Sequence, residues 1–144
     1  MPEDSSAQEP VEEKVSILIV DDRPDKLLGY ETVLDDLNEN LVRANSGKEA
    51  LRCLLKQDFA VILLDVNMPV MDGFETAALI RQRQRSETTP IIFISAVNDT
   101  ETHVSRGYSI GAVDYILTPV VPEILRAKIA VFVDLFKKTE QVKR

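Results

Sequence analysis

The run Ala60-Val61-Ile62-Leu63-Leu64-Asp65 decides the fold. Five consecutive apolar residues end on an acid, with no polar residue among them. A strand with one face in water alternates polar with apolar residues, whereas a strand covered on both faces does not. The run is also far below the ~20 apolar residues that span a bilayer. Val15–Val20 and Ile91–Ile94 read in the same way, as inner strands. Asn40–Ala44 and Val113–Leu117 carry interspersed polar residues, as expected of strands near the edges of a sheet.

Between the strands the apolar period becomes helical. Pro24 suits a first helical turn, where its missing N–H costs nothing, and Leu27, Leu28, Val33, Leu34 and Leu37 form an expected buried stripe. Ser46 and Glu49 form an expected capping box ahead of Ala50, Leu51, Leu54 and Leu55. Asp72 can cap a helix carrying Phe74, Ala77, Ala78 and Ile80. Asn98 or Asp99 opens a fourth helix with few apolar residues (Val104, Tyr108, Ile110), expected to be the least stable. Pro122 starts the fifth, with Ile124, Leu125, Ile129, Val133 and Phe136 inward. Five strands alternating with five helices imply an α/β fold with parallel strands, right-handed crossovers and helices on both faces of the sheet.

Composition limits what such a domain does. At 144 residues, with 44% hydrophobic and 28% charged residues, the chain is expected to be one soluble globular domain. The first residues carry acids and no apolar run, and one cysteine, Cys53, fits a reducing compartment, so the expected location is cytoplasmic. A net charge of -7 argues against nucleic-acid binding. The basic stretches, Arg81, Arg83, Arg85 and the tail Lys137, Lys138, Lys143, Arg144, read as solvated helix ends. Residues 1–14 read as a disordered acidic tail, 15–138 as the folded domain, and 139–144 as a helical extension, linker or dimer contact.

In doubly wound folds ligands bind beyond the carboxyl ends of the strands. Here those ends are Asp21-Asp22, Asp65, Ser95-Ala96 and Thr118-Pro119. With strand order 2-1-3-4-5, the first and third strands are neighbours and three carboxylates converge. Left alone, they would repel one another and raise their own pKa values. Mg²⁺, which takes carboxylate, carbonyl and water oxygens, removes the conflict. Carboxylates, a hard cation and an adjacent hydroxyl suit phosphoryl transfer, where positioning and charge neutralisation do most of the catalysis. A lone Asp at a strand end is more often a cap or turn former, the role assigned to Asp72. Asp21-Asp22 alone fits either a cap or a metal site; the set of acids with Ser95 favours the site.

These residues bring out a family resemblance. ILIVDD at 17–22, LLDVNMPVMDGFE at 63–75, PIIFISA at 90–96 and GAVDYILTP at 111–119 resemble the receiver domain of bacterial two-component response regulators, over roughly Val15 to Lys138. The interval of 30 residues from Asp65 to Ser95 matches that family's usual spacing. The resemblance implies a flavodoxin-like doubly wound five-stranded sheet with five helices. It implies Asp65 as phosphoacceptor, taking a phosphoryl group from a histidine kinase or a histidine phosphotransfer protein. Asp22 and Asp65, with the backbone carbonyl of Asn67, would hold Mg²⁺, and Asp21 would act mainly through water. Ser95 resembles the switch hydroxyl and Tyr115 the switch aromatic. Pro69 and Gly73 shape the loop after Asp65, and Pro119 follows the usual cis peptide. A homodimer through the fourth and fifth helices is a further implied contact. The domain is then a signalling component that assists its own phosphorylation and dephosphorylation, rather than an enzyme.

One position departs from the family. The residue before Pro119, nearly always lysine in receivers, is Thr118. Three readings follow. The domain is phosphorylated with altered kinetics and a weaker switch; it is a pseudo-receiver, docking or dimerising without phosphorylation; or the substitution was introduced by design. The intact set Asp21, Asp22, Asp65 and Ser95 favours the first. A hydrolase with a covalent aspartyl intermediate ranks last, because Asn67 stands where its second acid usually lies. Asn67 and Val97 occupy the positions that tune phosphoryl lifetime in receivers, and a valine there would shield against water. His103, the single histidine, reads as a surface residue, and Cys53 as core. Ser46-Gly47-Lys48 reads as a helix cap rather than a phosphate loop.

Overall fold

The strand read from residues 60–65 forms at the centre of the sheet. The computed structural model describes residues 13–96, 106, 109–111 and 114–143. In chain order the elements are β1 (Ser16–Val20), α1 (Pro24–Leu34), β2 (Asn40–Ala44), α2 (Gly47–Lys56), β3 (Val61–Asp65), α3 (Gly73–Gln82), β4 (Ile91–Ala96), β5 (Asp114–Thr118) and α4 (Pro122–Lys143). All strands are parallel, in the order β2-β1-β3-β4-β5. This is the flavodoxin-like arrangement. Among the described residues there are four α-helices rather than five. The expected fourth helix, with Val104 and Tyr108, falls almost wholly outside them, as do His103 and Val97.

Every residue of β1 and β3 is buried, while β2 and β5 are partly exposed. Successive side chains point to opposite faces, so each inner strand feeds two cores. Leu18, Val20, Ile62, Leu64 and Phe93 pack against α2 and α3 through Leu51, Leu54, Phe74, Ala77 and Ile80. Ile17, Ile19, Leu63, Ile92 and Ile94 pack against α1 and α4 through Leu27, Tyr30, Leu34, Leu125, Ile129 and Val133.

Several sequence expectations need correction, all from helix phase or capping. Leu28, Leu55 and Ile124 are exposed rather than inward. The buried seam of α1 is Leu27, Tyr30 and Leu34, which puts Leu28 about 100° off it. Leu55 stands off the Ala50, Leu51, Leu54 face in the same way. Ile124 stands off the Leu125, Ile129, Val133 seam. Ser46 does cap α2, its Oγ accepting from Glu49 N–H at 3.0 Å, but the Glu49 carboxylate reaches back to Asn45 N–H instead of closing a box. The complete capping box lies at Asp72 and Glu75, ahead of α3.

The arginines at 81, 83 and 85 are not solvated helix ends. Arg81 is half-buried and donates to the carbonyls of Ser86, Thr89 and Gly111 at 3.3, 2.7 and 2.9 Å. Arg83 donates to Leu51 O and Arg85 to Leu55 O and Asp58, so the three fan out after α3 onto three separate segments. Lys137 likewise is drawn inward to Glu39, whereas Lys138 pairs with Asp134 on the exposed side of α4. Cys53 is half-buried against the α2–α3 core. α4 runs unbroken past residue 138. Among the described residues, no helix is long and apolar enough to cross a membrane.

Candidate functional site

Parallel pairing brings the carboxyl ends of β1, β3, β4 and β5 to one edge. β1 and β3 are paired with Val20 opposite Leu64, so the next residue of each strand, Asp21 and Asp65, arrives at the same level. Asp21 keeps to the ladder by donating its N–H to Ala44 O at 3.1 Å. Asp65 remains within β3, opposite Ile94, and is 6% exposed. Asp22 is half-buried beside them. One carboxylate oxygen from each of Asp21, Asp22 and Asp65 lies within 4.8 Å of the others. The sequence therefore located this cluster correctly.

The electrostatics of the cluster are those of a site short of positive charge. Burial raises the pKa of Asp65 to about 7, and the charges of Asp21 and Asp22 add to the rise. Lys26 and a hydrogen bond from the Asn67 backbone N–H oppose it. Asp21 is also raised, chiefly by burial. Its Oδ1 accepts from Arg23 N–H at 3.0 Å, but its Oδ2 is buried with no hydrogen-bond partner. A buried carboxylate oxygen without a donor costs free energy unless something else meets it. The donor set is entirely oxygen, which fits Mg²⁺ rather than a softer ion. Asp21, Asp22 and Asp65 would hold such an ion. Asn67 is exposed at the rim, next in line after Val66.

The loop after Asp65 is fixed by backbone contacts. Val66 N–H donates to Ile94 O at 3.0 Å and Gly73 N–H to Val66 O at 2.9 Å. A Cβ on Gly73 would collide with the Asp65 carbonyl and stand 2.9 Å from Val66 Cα, so only glycine fits there. Val70, at the tip, is fully exposed with φ +69°, a left-handed conformation that a β-branched residue adopts at a cost.

Ser95 is buried one residue from the end of β4, opposite Leu117, and its hydroxyl is 3.5 Å from Ala96 O. Thr118 lies opposite Ala96, half-buried, and the Thr118-Pro119 bond is cis as expected. Tyr115 is half-buried, its ring 5.4 Å from that of Phe93, which in turn is 5.0 Å from Phe74. Two residues bearing on the site were missed in the sequence, both on α1. Tyr30 is buried and has its pKa raised by burial and by Asp21 and Asp65. Lys26, one turn earlier, is half-buried. The spacing Leu27, Tyr30, Leu34 was the available signal, since it turns both Tyr30 and Lys26 toward the strand ends.

Comparison with known proteins agrees with this geometry. The family model described as the response regulator receiver domain matches residues 17–130. A probable cyclic di-GMP phosphodiesterase of Vibrio cholerae is 34% identical over 114 residues, which cover 79% of this chain and 25% of that protein. The chain spans between a quarter and just under half of the curated relatives it matches first. Among solved structures, the Vibrio cholerae chemotaxis protein CheY4 superposes with a TM-score of 0.77 at 30% identity, covering 83% of this chain and 98% of that one. The receiver domain of a Pseudomonas aeruginosa sensor histidine kinase, which coordinates a magnesium ion in its active-site cleft, gives 0.76 at 25% identity, covering 84% and 98%. By fold, by site geometry and by these likenesses, the chain belongs to the response regulator receiver domain family.

Proposed function

We propose that this domain accepts a phosphoryl group on Asp65 from the phosphohistidine of a kinase or phosphotransfer protein, and that the event switches a protein-interaction surface. An Asp65 carboxylate oxygen attacks phosphorus, the P–N bond to histidine breaks, and an aspartyl phosphate forms. When bound, Mg²⁺ would supply charge neutralisation for the phosphoryl oxygens and the three carboxylates. Asp21 and Asp22 hold the acidic pocket in place and Gly73 keeps the loop packed under Asp65. The hydroxyl of Ser95 would then bond a phosphoryl oxygen, with Tyr115 changing rotamer in concert, biasing a two-state equilibrium. On this reading the protein is a cytoplasmic phosphoacceptor that assists its own phosphorylation and dephosphorylation, not an enzyme with a separate substrate.

The observation that carries the proposal is the buried Asp65, beside an Asp21 oxygen that nothing in the protein satisfies. A second reading, docking without phosphorylation, draws on the neutral Thr118 at the end of β5. The two separate on exposure to acetyl phosphate or beryllium fluoride, with and without Mg²⁺. Phosphorylation predicts a mass increase that disappears in Asp65→Asn, and Mg²⁺-dependent amide shifts around Ser95 and Tyr115. An unmodified Asp65 with no shifts leaves the docking module.

A further inference from the structure

Resting on that phosphoacceptor reading, we propose that Lys26 on α1 is the cation that balances the phosphoryl group at Asp65, approaching from the β1 side of the site. The need is visible in the charges. Three carboxylates and a divalent ion sum to -1, and converting Asp65 to its phosphate adds another negative charge. On the β5 side nothing answers it: Thr118 is neutral, and β4 stands between β5 and the strand that carries Asp65.

On the β1 side the fold supplies a candidate. Helical side chains lean toward the helix N-terminus, and the N-terminus of α1 follows directly on Asp21-Asp22. Lys26 is therefore tilted back toward the acids. It lies one turn before Tyr30, on the face that α1 turns to the sheet, and is half-buried where the neighbouring Asp25 is exposed. Among the described residues Lys26 makes no ion pair, so its ammonium is not committed elsewhere. The other nearby cation, Arg23, is exposed and bound to Asp25 at 3.1 Å. Independently, the Lys26 charge lowers the pKa of both Asp21 and Asp65, so it is felt at the acceptor itself.

A long lysine stem can carry the ammonium inward when a dianion appears. Such a residue has two effects of opposite sign. Before phosphorylation it competes with Mg²⁺ for the same carboxylates. Afterwards it stabilises the added phosphoryl charge.

The test reads both arms on the full chain by calorimetry or amide shifts: Mg²⁺ alone, then beryllium fluoride at saturating Mg²⁺. Lys26→Met is expected to bind Mg²⁺ severalfold more tightly and beryllium fluoride about tenfold more weakly. Lys26→Arg should restore both toward the parent values. Adding Thr118→Lys to Lys26→Met should restore beryllium fluoride binding from the other side. Parent affinities in Lys26→Met, or a parallel loss of both ligands, overturn the assignment, the second outcome marking a merely structural residue. If the parent itself takes no beryllium fluoride, the phosphoacceptor reading falls and this one with it. If the parent takes it and Lys26→Met takes it equally well, the lysine alone is overturned.

Discussion

At the residue scale the site is governed by how burial treats one carboxylate. Asp65 in the folded protein has a pKa of about 7 against an ordinary 3.8, with burial the largest cause. Between those values the native state holds a proton that the unfolded chain has released. Stability from this group is thus present at low pH and is lost as pH rises from about 4 to about 7. Asp65→Asn, which cannot ionise, should remove that loss. In chelator, its stability relative to the parent should climb across this window by on the order of 2–4 kcal/mol. Saturating Mg²⁺ should shrink the difference, because the ion binds the ionised form. Urea unfolding at several pH values measures both, and parallel profiles for parent and variant would refute the assignment. The position of Asp65 was legible in the sequence, because an acid ending an apolar run has nowhere to go but a strand end. Its altered pKa was not. That depends on what covers the carboxylate, and the cover comes partly from Tyr30 and Lys26, on a helix whose rotation a single misplaced leucine disguised.

At the element scale, strands were easier to read than helix faces. A run buried on both sides needs no phase, so β1, β3 and β4 were found within one or two residues. A helix face needs a rotation, and pairs such as Leu27-Leu28 or Leu54-Leu55 offer two choices 100° apart. The arginines after α3 were illegible for a related reason: their partners are carbonyls, and carbonyls leave no mark in a sequence. Arg81 is the clearest case. Its guanidinium joins the end of α3 to the carbonyls of Ser86 and Thr89 ahead of β4 and of Gly111 ahead of β5. Arg81→Gln should cost about 1–3 kcal/mol by leaving carbonyls short of donors. Arg81→Lys should recover only part of it, since one ammonium cannot match a planar fork aimed at three oxygens. Amide exchange should quicken first around Thr89 and residues 109–111. Exchange that rises uniformly through the sheet would mean that the arginine is no local clamp.

At the scale of the whole molecule, parallel sheet order brings together residues that the chain keeps far apart. It joins Asp21 to Asp65 at the carboxyl edge, and at the opposite edge it joins the first strand to the last helix. There Glu39, its side chain 6% exposed, accepts from Val15 N–H at 2.9 Å through one oxygen and from Lys137 Nζ at 2.7 Å through the other. The two partners of that pair are separated by 98 residues. A buried pair of this kind adds less than its Coulomb energy suggests, because both ions were desolvated to make it. Breaking it is another matter. Lys137→Met leaves an acid buried against β1 without its cation, and should destabilise the domain by about 3–5 kcal/mol. Glu39→Gln keeps an acceptor for Val15 N–H while removing the charge, so adding it to Lys137→Met should recover a good part of the loss. Urea unfolding of the four proteins closes the cycle. A double variant no more stable than Lys137→Met would show that the lysine acts by packing its stem rather than by its charge. In either case the phosphoryl chemistry at the far edge should survive in the folded fraction, because the whole height of the sheet separates it from Glu39.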